Sequence, residues 1–206
     1  GAKRVEEIVR YASKIGLQTL TLYAFSTENW QRPTPEVTAL FQLIKLYLRK
    51  KVRELKVENV KINFIGRRDQ LPKPVLKEMN NSENETENCT GLQLNIAVDY
   101  GGRDEILRVL NELVQEGRAH KGQFKEIDEA CFKSYSDLKN QSDPDLIIRT
   151  GGDKRLSNFM LWHAAYSELD FIDTLWPDFN ETELATALDR FNEKERRFGG
   201  IVEVKK

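Results

Sequence analysis

Arginines, hydroxyls and glycines recur in four polar segments of this 206-residue chain, each directly after a short apolar run. The first is Ser26-Thr27-Glu28-Asn29-Trp30-Gln31-Arg32, the second Arg67-Arg68 and the third Asp99-Tyr100-Gly101-Gly102-Arg103. The fourth runs from Arg149 to Asn158, RTGGDKRLSN. Guanidinium forks pair with phosphate oxygens, and backbone N–H groups freed by glycine add further donors. Taken singly, each arginine reads as well as a solvated loop residue. Gly151-Gly152 between Arg149 and Arg155 has little structural need, however, and marks the fourth segment as an anion site. Ser157 is expected to cap a following helix whose N-terminus adds to that site. His120 and His163 are the only histidines, which disfavours a transition-metal centre. Asp153, Glu168 and Asp170 lie near the basic block and offer carboxylate oxygens of the kind that suit Mg²⁺. Taken alone, Glu168 reads as a surface acid, and His163 as a packed helix residue. No G-x-S-x-G elbow, Walker A loop or G-x-G-x-x-G fingerprint occurs, which lowers the hydrolase, NTPase and dinucleotide readings.

Four such segments share one rim only if the apolar runs before them are strands that end together. Residues 3–15 carry Val5, Ile8, Val9, Ala12 and Ile15 at helical spacing, and 17–25 then read as a strand buried on both faces. A long helix is expected from the Thr34 region to Val57, a strand over 60–65 and a helix over 71–79. The run NNSENETENCT, 80–90, reads as a mobile polar surface connection. A strand over 92–98 precedes a helix over 103–115 with Gly117 as its stop, and a further helix spans 126–138. Residues 146–148 read as a short buried strand, 159–166 as a short apolar helix and 181–196 as a helix behind Asn180. Strands alternating with helices imply a central, mostly parallel sheet flanked by helices, an α/β fold, with ligands outside the carboxyl ends of the strands. The whole chain reads as one domain.

Hydrophobic residues and glycine together make up about 45% of the chain, which places it among folded globular proteins. Lys and Arg number 32 against 33 Asp and Glu, so no overall field favours a polyanion. Trp30 and Tyr100 beside arginines imitate a base-stacking platform, but without a basic stripe nucleic acid is not expected. Cys89 and Cys131 show no C-x-x-C spacing, and a reducing cytoplasm is the expected setting. No apolar run approaches the ~20 residues of a membrane span, so any membrane contact is expected to be peripheral.

The chain resembles the cis-prenyltransferases, the undecaprenyl and dehydrodolichyl diphosphate synthases. The resemblance is carried by LTLYAFSTENWQRP (20–33), INFIGRRDQLP (62–72), GLQLNIAVDYGGRDEI (91–106), DPDLIIRTGGDKRLSNFMLWHAAYSELDFIDTLWPDF (143–179) and ERRFGG (195–200). It implies condensation of isopentenyl diphosphate with an allylic diphosphate such as farnesyl diphosphate, with a cis double bond made at each addition and an undecaprenyl-type product. It also implies that Arg149, Arg155, Leu156 and Ser157 bind isopentenyl diphosphate and that Glu168 is a Mg²⁺ ligand. Ser26, Thr27, Glu28, Asn29, Trp30 and Arg32 would form the loop over the reacting ends. Asn29 is often given the proton-acceptor role; a neutral amide is a poor base, so an orienting role is preferred here. The resemblance further implies a homodimer to which Arg197 and Gly199 bring contacts for the partner's site, and a tunnel in which Ala24 and Leu92 set product length. The family's first strand and its D-G-N-G-R-W motif, with the catalytic Asp, do not occur; the expectation is that they precede the residues present. Asp153 stands where Glu is usual. The rival readings are a non-catalytic subunit of a heteromeric prenyltransferase, which should lose the Arg149–Ser157 block, and a generic phosphate-ester-binding protein.

Overall fold

A computed structural model of the chain describes residues 2–119 and 126–194. The helices are α1 (Ala2–Lys14), α2 (Thr34–Val57), α3 (Lys73–Thr86), α4 (Gly102–Ala119), α5 (Glu129–Tyr135) and α6 (Glu181–Asn192). The strands are β1 (Thr19–Ser26), β2 (Lys61–Ile65), β3 (Gln93–Tyr100), β4 (Leu146–Thr150) and β5 (Glu168–Ile172). Every strand pairing among the described residues is parallel, as strands joined by long crossovers allow. The sheet comes in two pieces: three strands in the order β1-β3-β2, and the pair β4-β5.

Central β3 is buried from Leu94 to Tyr100, which explains its near-continuous apolar sequence. In β1 only Phe25 is fully buried, so the expectation of burial on both faces fails there. A core of Ile8 from α1, Phe179 and Leu184, with Leu20 of β1, Ile148 of β4 and Ile172 of β5 packed against it, joins the two sheet pieces. The β1–β3 register slips after Tyr23 and again after Phe25, and the opposing Asp99 takes φ 51°. A bulge at this end turns both chains out of the sheet and into the candidate site. Gly66, which directly follows β2, has φ 109°, and a Cβ there would stand 2.3 Å from Val98 O.

Several expectations are corrected. The run 80–90 is not a surface connection over most of its length, because α3 continues to Thr86 with Met79, Ser82 and Thr86 buried. Its polar side chains cover the outer edge of β2: Thr86 Oγ1 accepts from Ile62 N at 3.0 Å and Glu83 Oε1 from Phe64 N at 2.9 Å. An edge strand's spare N–H groups need such partners, so helical polar residues do the work expected of solvent. Gly117 does not stop α4, which runs on to Ala119. The 126–138 helix is shorter, beginning behind Asp128, whose side chain accepts from Cys131 N at 2.7 Å. Residues 159–166 form turns and no regular helix, because Ser157, Asn158 and Met160 all have positive φ. No helix N-terminus therefore follows Ser157. Among the described residues no helix is long and apolar enough to cross a membrane.

Candidate active site

Arg149 is the penultimate residue of β4, and the loop after it is strapped to the end of β5: Gly151 N donates to Thr174 O at 2.9 Å and Gly152 N to Ile172 O at 3.0 Å. These bonds bend the chain back, so that Arg149 Nη1 donates to Arg155 O at 2.6 Å and to Ser157 Oγ at 2.5 Å. Arg149 Nη2 reaches Asp153 Oδ2 at 2.9 Å, and Arg155 holds both Asp153 oxygens, at 2.9 and 2.6 Å. The expected anion-binding residues thus come together. Asp153 fills their forks with a planar, two-oxygen anion, the geometry that phosphate oxygens share.

The segment after β1 is a 3₁₀ turn, Thr27–Gln31. Asn29 Oδ1 accepts from Ser26 N at 3.0 Å, closing the turn on itself; the remaining amide N–H₂ is a donor and not a base. Trp30 packs edge-on to Phe25, with ring centroids 5.2 Å apart, and its Nε1 donates to Asp99 Oδ1 at 2.8 Å. Asp99 is fully buried and also receives Arg67 Nη2 at 3.0 Å. Arg32 pairs with Glu36 at 2.9 Å on the exposed start of α2. Glu28 Oε1 accepts from Asn158 at 2.7 Å. Burial pushes the Glu28 carboxyl up, but hydrogen bonds from Asn158 and its own loop outweigh this and hold it below the usual range. The Tyr23 hydroxyl donates to Tyr100 O at 3.0 Å; burial, then the charge of Glu28, pushes its pKa up to about 12.

Both loops open onto a cavity of about 1390 Å³. It touches every residue from Gly16 to Ser26 and from Ser142 to Thr150. Side chains alternate along a strand, so a cavity touching consecutive residues faces the strand's edge. Among the described residues β1 pairs only with β3, and β4 only with β5, so the space lies between two open strand edges. Beyond them its wall is apolar, with Leu40, Ile44 and Tyr47 of α2 and Ala24 of β1. Leu92, expected on that wall, instead packs in the main core at 2% exposure, because it precedes the central strand and is enclosed by its neighbours. Sequence reasoning missed the Tyr23, Asn158 and Asp99 contacts. Asp99 and Asn158 lie within segments it had marked, but only the fold shows what they bind.

Glu168 is set apart from the basic loop. The β4–β5 register places it opposite Leu146 and places Arg149 opposite Phe171, about 10 Å further along the strands. Its Oε2 accepts from Lys194 Nζ at 2.6 Å, and Asp170 is held by Arg190. Among the described residues no group of three or more His, Cys, Asp or Glu is assembled to hold a metal ion. Among the described residues Glu168 and the anion forks of Arg149 are therefore not brought together. Arg197 and Gly199 lie outside the described residues, as does His120.

A family model described as "Putative undecaprenyl diphosphate synthase" matches residues 1–199. An isoprenyl transferase from Aquifex pyrophilus is 48% identical over 203 residues, covering 98% of this chain and 85% of that protein. A probable undecaprenyl diphosphate synthase from Campylobacter jejuni superposes with a TM-score of 0.85 at 32% identity, over 96% of this chain and 90% of that one. Lavandulyl diphosphate synthase from Lavandula x intermedia, solved in complex with dimethylallyl diphosphate, gives a TM-score of 0.92 at 31% identity, over 96% and 86% of the two chains.

Proposed function

Because the chain belongs to the undecaprenyl diphosphate synthase family of prenyltransferases, we propose that it condenses isopentenyl diphosphate with an allylic diphosphate such as farnesyl diphosphate, repeatedly, to a long cis-polyprenyl diphosphate. The observation that carries this is the convergence of the Arg149–Ser157 loop and the Thr27–Gln31 turn on the mouth of one large cavity.

In this reading the Arg149 and Arg155 forks and the Ser157 hydroxyl take the diphosphate of isopentenyl diphosphate, displacing the Asp153 carboxylate. The Ser26–Arg32 segment lies over the reacting carbons, with Asn29 orienting the substrate through its amide N–H₂. Charge develops on the leaving diphosphate, and fixed guanidinium groups stabilise it without reorganising. The proton lost from the adduct goes to diphosphate or water. Mg²⁺ would supply charge to the diphosphate oxygens when bound, and Glu168, the ligand the family resemblance implies, accepts from Lys194.

The growing hydrocarbon would lie along Ala24 and the α2 wall. Each buried CH₂ contributes about 0.8 kcal/mol, which favours drawing the chain inward. The open edges of β1 and β4 have a different need. A single parallel strand between them, of the kind the family's D-G-N-G-R-W segment supplies, would satisfy both rows of backbone groups and join the two sheet pieces. A homodimer is supported by the exposed apolar residues Leu107, Leu110 and Val114 on α4, and peripheral membrane contact at the cytoplasmic face by exposed Leu43 and Leu46 beside the cavity on α2.

The test is incorporation of labelled isopentenyl diphosphate with farnesyl diphosphate and Mg²⁺, with the products sized. Long polyprenyl products support the reading; an absence of any extended product in the full-length protein sinks it.

A further inference from the structure

The two loops of the candidate site are tied to each other through one residue. Asn158 Nδ2 donates to Glu28 Oε1 at 2.7 Å in the turn after β1. Its Oδ1 accepts from Arg103 N at 2.8 Å, and its backbone oxygen accepts from Gly102 N at 2.6 Å, both at the start of α4. Asn158 itself follows directly on Ser157, the last anion-binding residue of the Arg149 loop. Three chain segments remote in sequence therefore meet on one amide side chain.

Two further observations show that the meeting is built in. A Cβ on Gly101 would stand 2.6 Å from Thr27 Oγ1 and 2.7 Å from Asn158 Nδ2, so the turn and the basic loop press on the Gly-Gly turn from both sides. Any larger residue would hold them apart. Asn158 also has φ 65°, a left-handed backbone that Asn and Asp tolerate better than other residues with a Cβ. An amide here supplies an acceptor for α4 and a donor for Glu28 at the same time, which neither Asp nor Gly does.

We infer that Asn158 is a positioning residue, a latch through which an anion seated on Arg149 and Arg155 fixes the Thr27–Gln31 turn over the reacting ends. The inference rests on the reading of the Arg149 loop as a diphosphate site. Because Asn158 follows directly on Ser157 and donates to Glu28, the position of the basic loop sets that of the turn.

Asn158→Asp isolates the donor. It keeps the backbone conformation and the acceptor for Arg103 N–H, but sets a carboxylate against Glu28. Turnover is expected to fall about tenfold or more, while the KM for isopentenyl diphosphate changes less than about threefold. In the ligand-free protein, hydrogen exchange of the amides of residues 26–32, read by mass spectrometry, should become faster. Adding Glu28→Gln to this variant lets the new amide donate to the new carboxylate. Measured against Glu28→Gln alone, the double variant should recover both slow exchange and turnover. The inference is overturned if Asn158→Asp leaves exchange over 26–32 unchanged, or if the double variant recovers nothing. If the exchange results hold and the wild-type protein makes no polyprenyl product, the latch stands and the proposed reaction falls instead.

Discussion

The carboxylate of Asp153 lies 2.9 Å from Nη2 of Arg149 and at the same time closes the guanidinium fork of Arg155. One acid thus neutralises the two bases best placed to take a diphosphate, and a ligand must displace it. Both ends of the Asp153–Arg155 pair are well exposed, so the contact contributes only about 0.2–1 kcal/mol. Asp153→Asn is accordingly expected to tighten inorganic diphosphate binding about two- to fivefold, read by titration calorimetry at fixed ionic strength. Weaker binding in the variant would instead make Asp153 the group that aligns the two arginines.

Much of this site was legible from residue types. The density of arginine, glycine and hydroxyl between Arg149 and Ser157 marks the loop by residue type alone, although Arg149 and the two left-handed glycines also shape it. Four of the five described strands were legible as well, because runs such as LQLNIAV carry β-branched and apolar residues at strand spacing, whereas β5 was not, its five residues ELDFI including the acids Glu168 and Asp170 and being flanked by apolar turns. The polar stretch after Met79 was not, since helical polar residues that cover an edge strand have the composition of a loop. The turns after Ser157 were hidden for a different reason. Phe159, Leu161 and Trp162 have a helix's apolar content, and only the left-handed backbone at Met160 shows that no helix forms. Glu168 shows the opposite limit: nearness in sequence to the basic block did not bring its carboxylate to Arg149, because β5 runs parallel to β4 and begins at the far end.

Arg149 holds the loop as well as offering a fork, since it bonds both Arg155 O and Ser157 Oγ. Charged hydrogen bonds contribute roughly 1.5–3 kcal/mol each. Arg149→Ala should therefore weaken isopentenyl diphosphate binding tenfold or more, and farnesyl diphosphate binding by less than about threefold. Arg149→Lys should fall between, keeping the charge and losing the fork. Equal losses for the two ligands would remove Arg149 from the isopentenyl diphosphate site.

Ala24 lines the same cavity as the α2 side chains Leu40 and Ile44. A larger side chain there takes volume from the hydrocarbon and leaves the diphosphate loops alone. Ala24→Leu is expected to shift the product mixture to shorter chains at a first-addition rate within about threefold of wild type, with any overpacking cost about 1–3 kcal/mol. Product sizing by mass spectrometry checks this; unchanged lengths would move the tunnel off this wall.

His163 lies behind the site with its ring 2% exposed, between two acids: Nδ1 meets Asp143 Oδ1 at 2.8 Å and Nε2 meets Glu105 Oε1 at 3.2 Å. Glu105 also accepts from Tyr100 Oη at 2.6 Å and from Asp137 N at 2.9 Å, and Lys133 stands 3.7 Å from Asp143. Burial pulls the imidazole down, but the hydrogen bonds and charges of Glu105 and Asp143 outweigh it, so His163 titrates above its ordinary 6.5. Burial likewise pushes Glu105 up, and the bonds from His163 and Tyr100 outweigh it, so Glu105 titrates below its ordinary 4.5. The signs follow from which state holds the proton more tightly. The His163 contribution to stability is complete below pH 6.5 and is lost as pH rises through its raised folded value. The Glu105 contribution is complete above pH 4.5 and is lost as pH falls through its lowered value. The network thus stabilises most between those two limits. His163→Gln, which keeps hydrogen-bonding capacity but does not titrate, should flatten the alkaline decline of Tm measured from about pH 6.5 to 8.5. His163→Ala, which leaves Glu105 short of a partner, should cost about 3 kcal/mol. Parallel alkaline limbs for the wild type and His163→Gln would show that another group sets the decline.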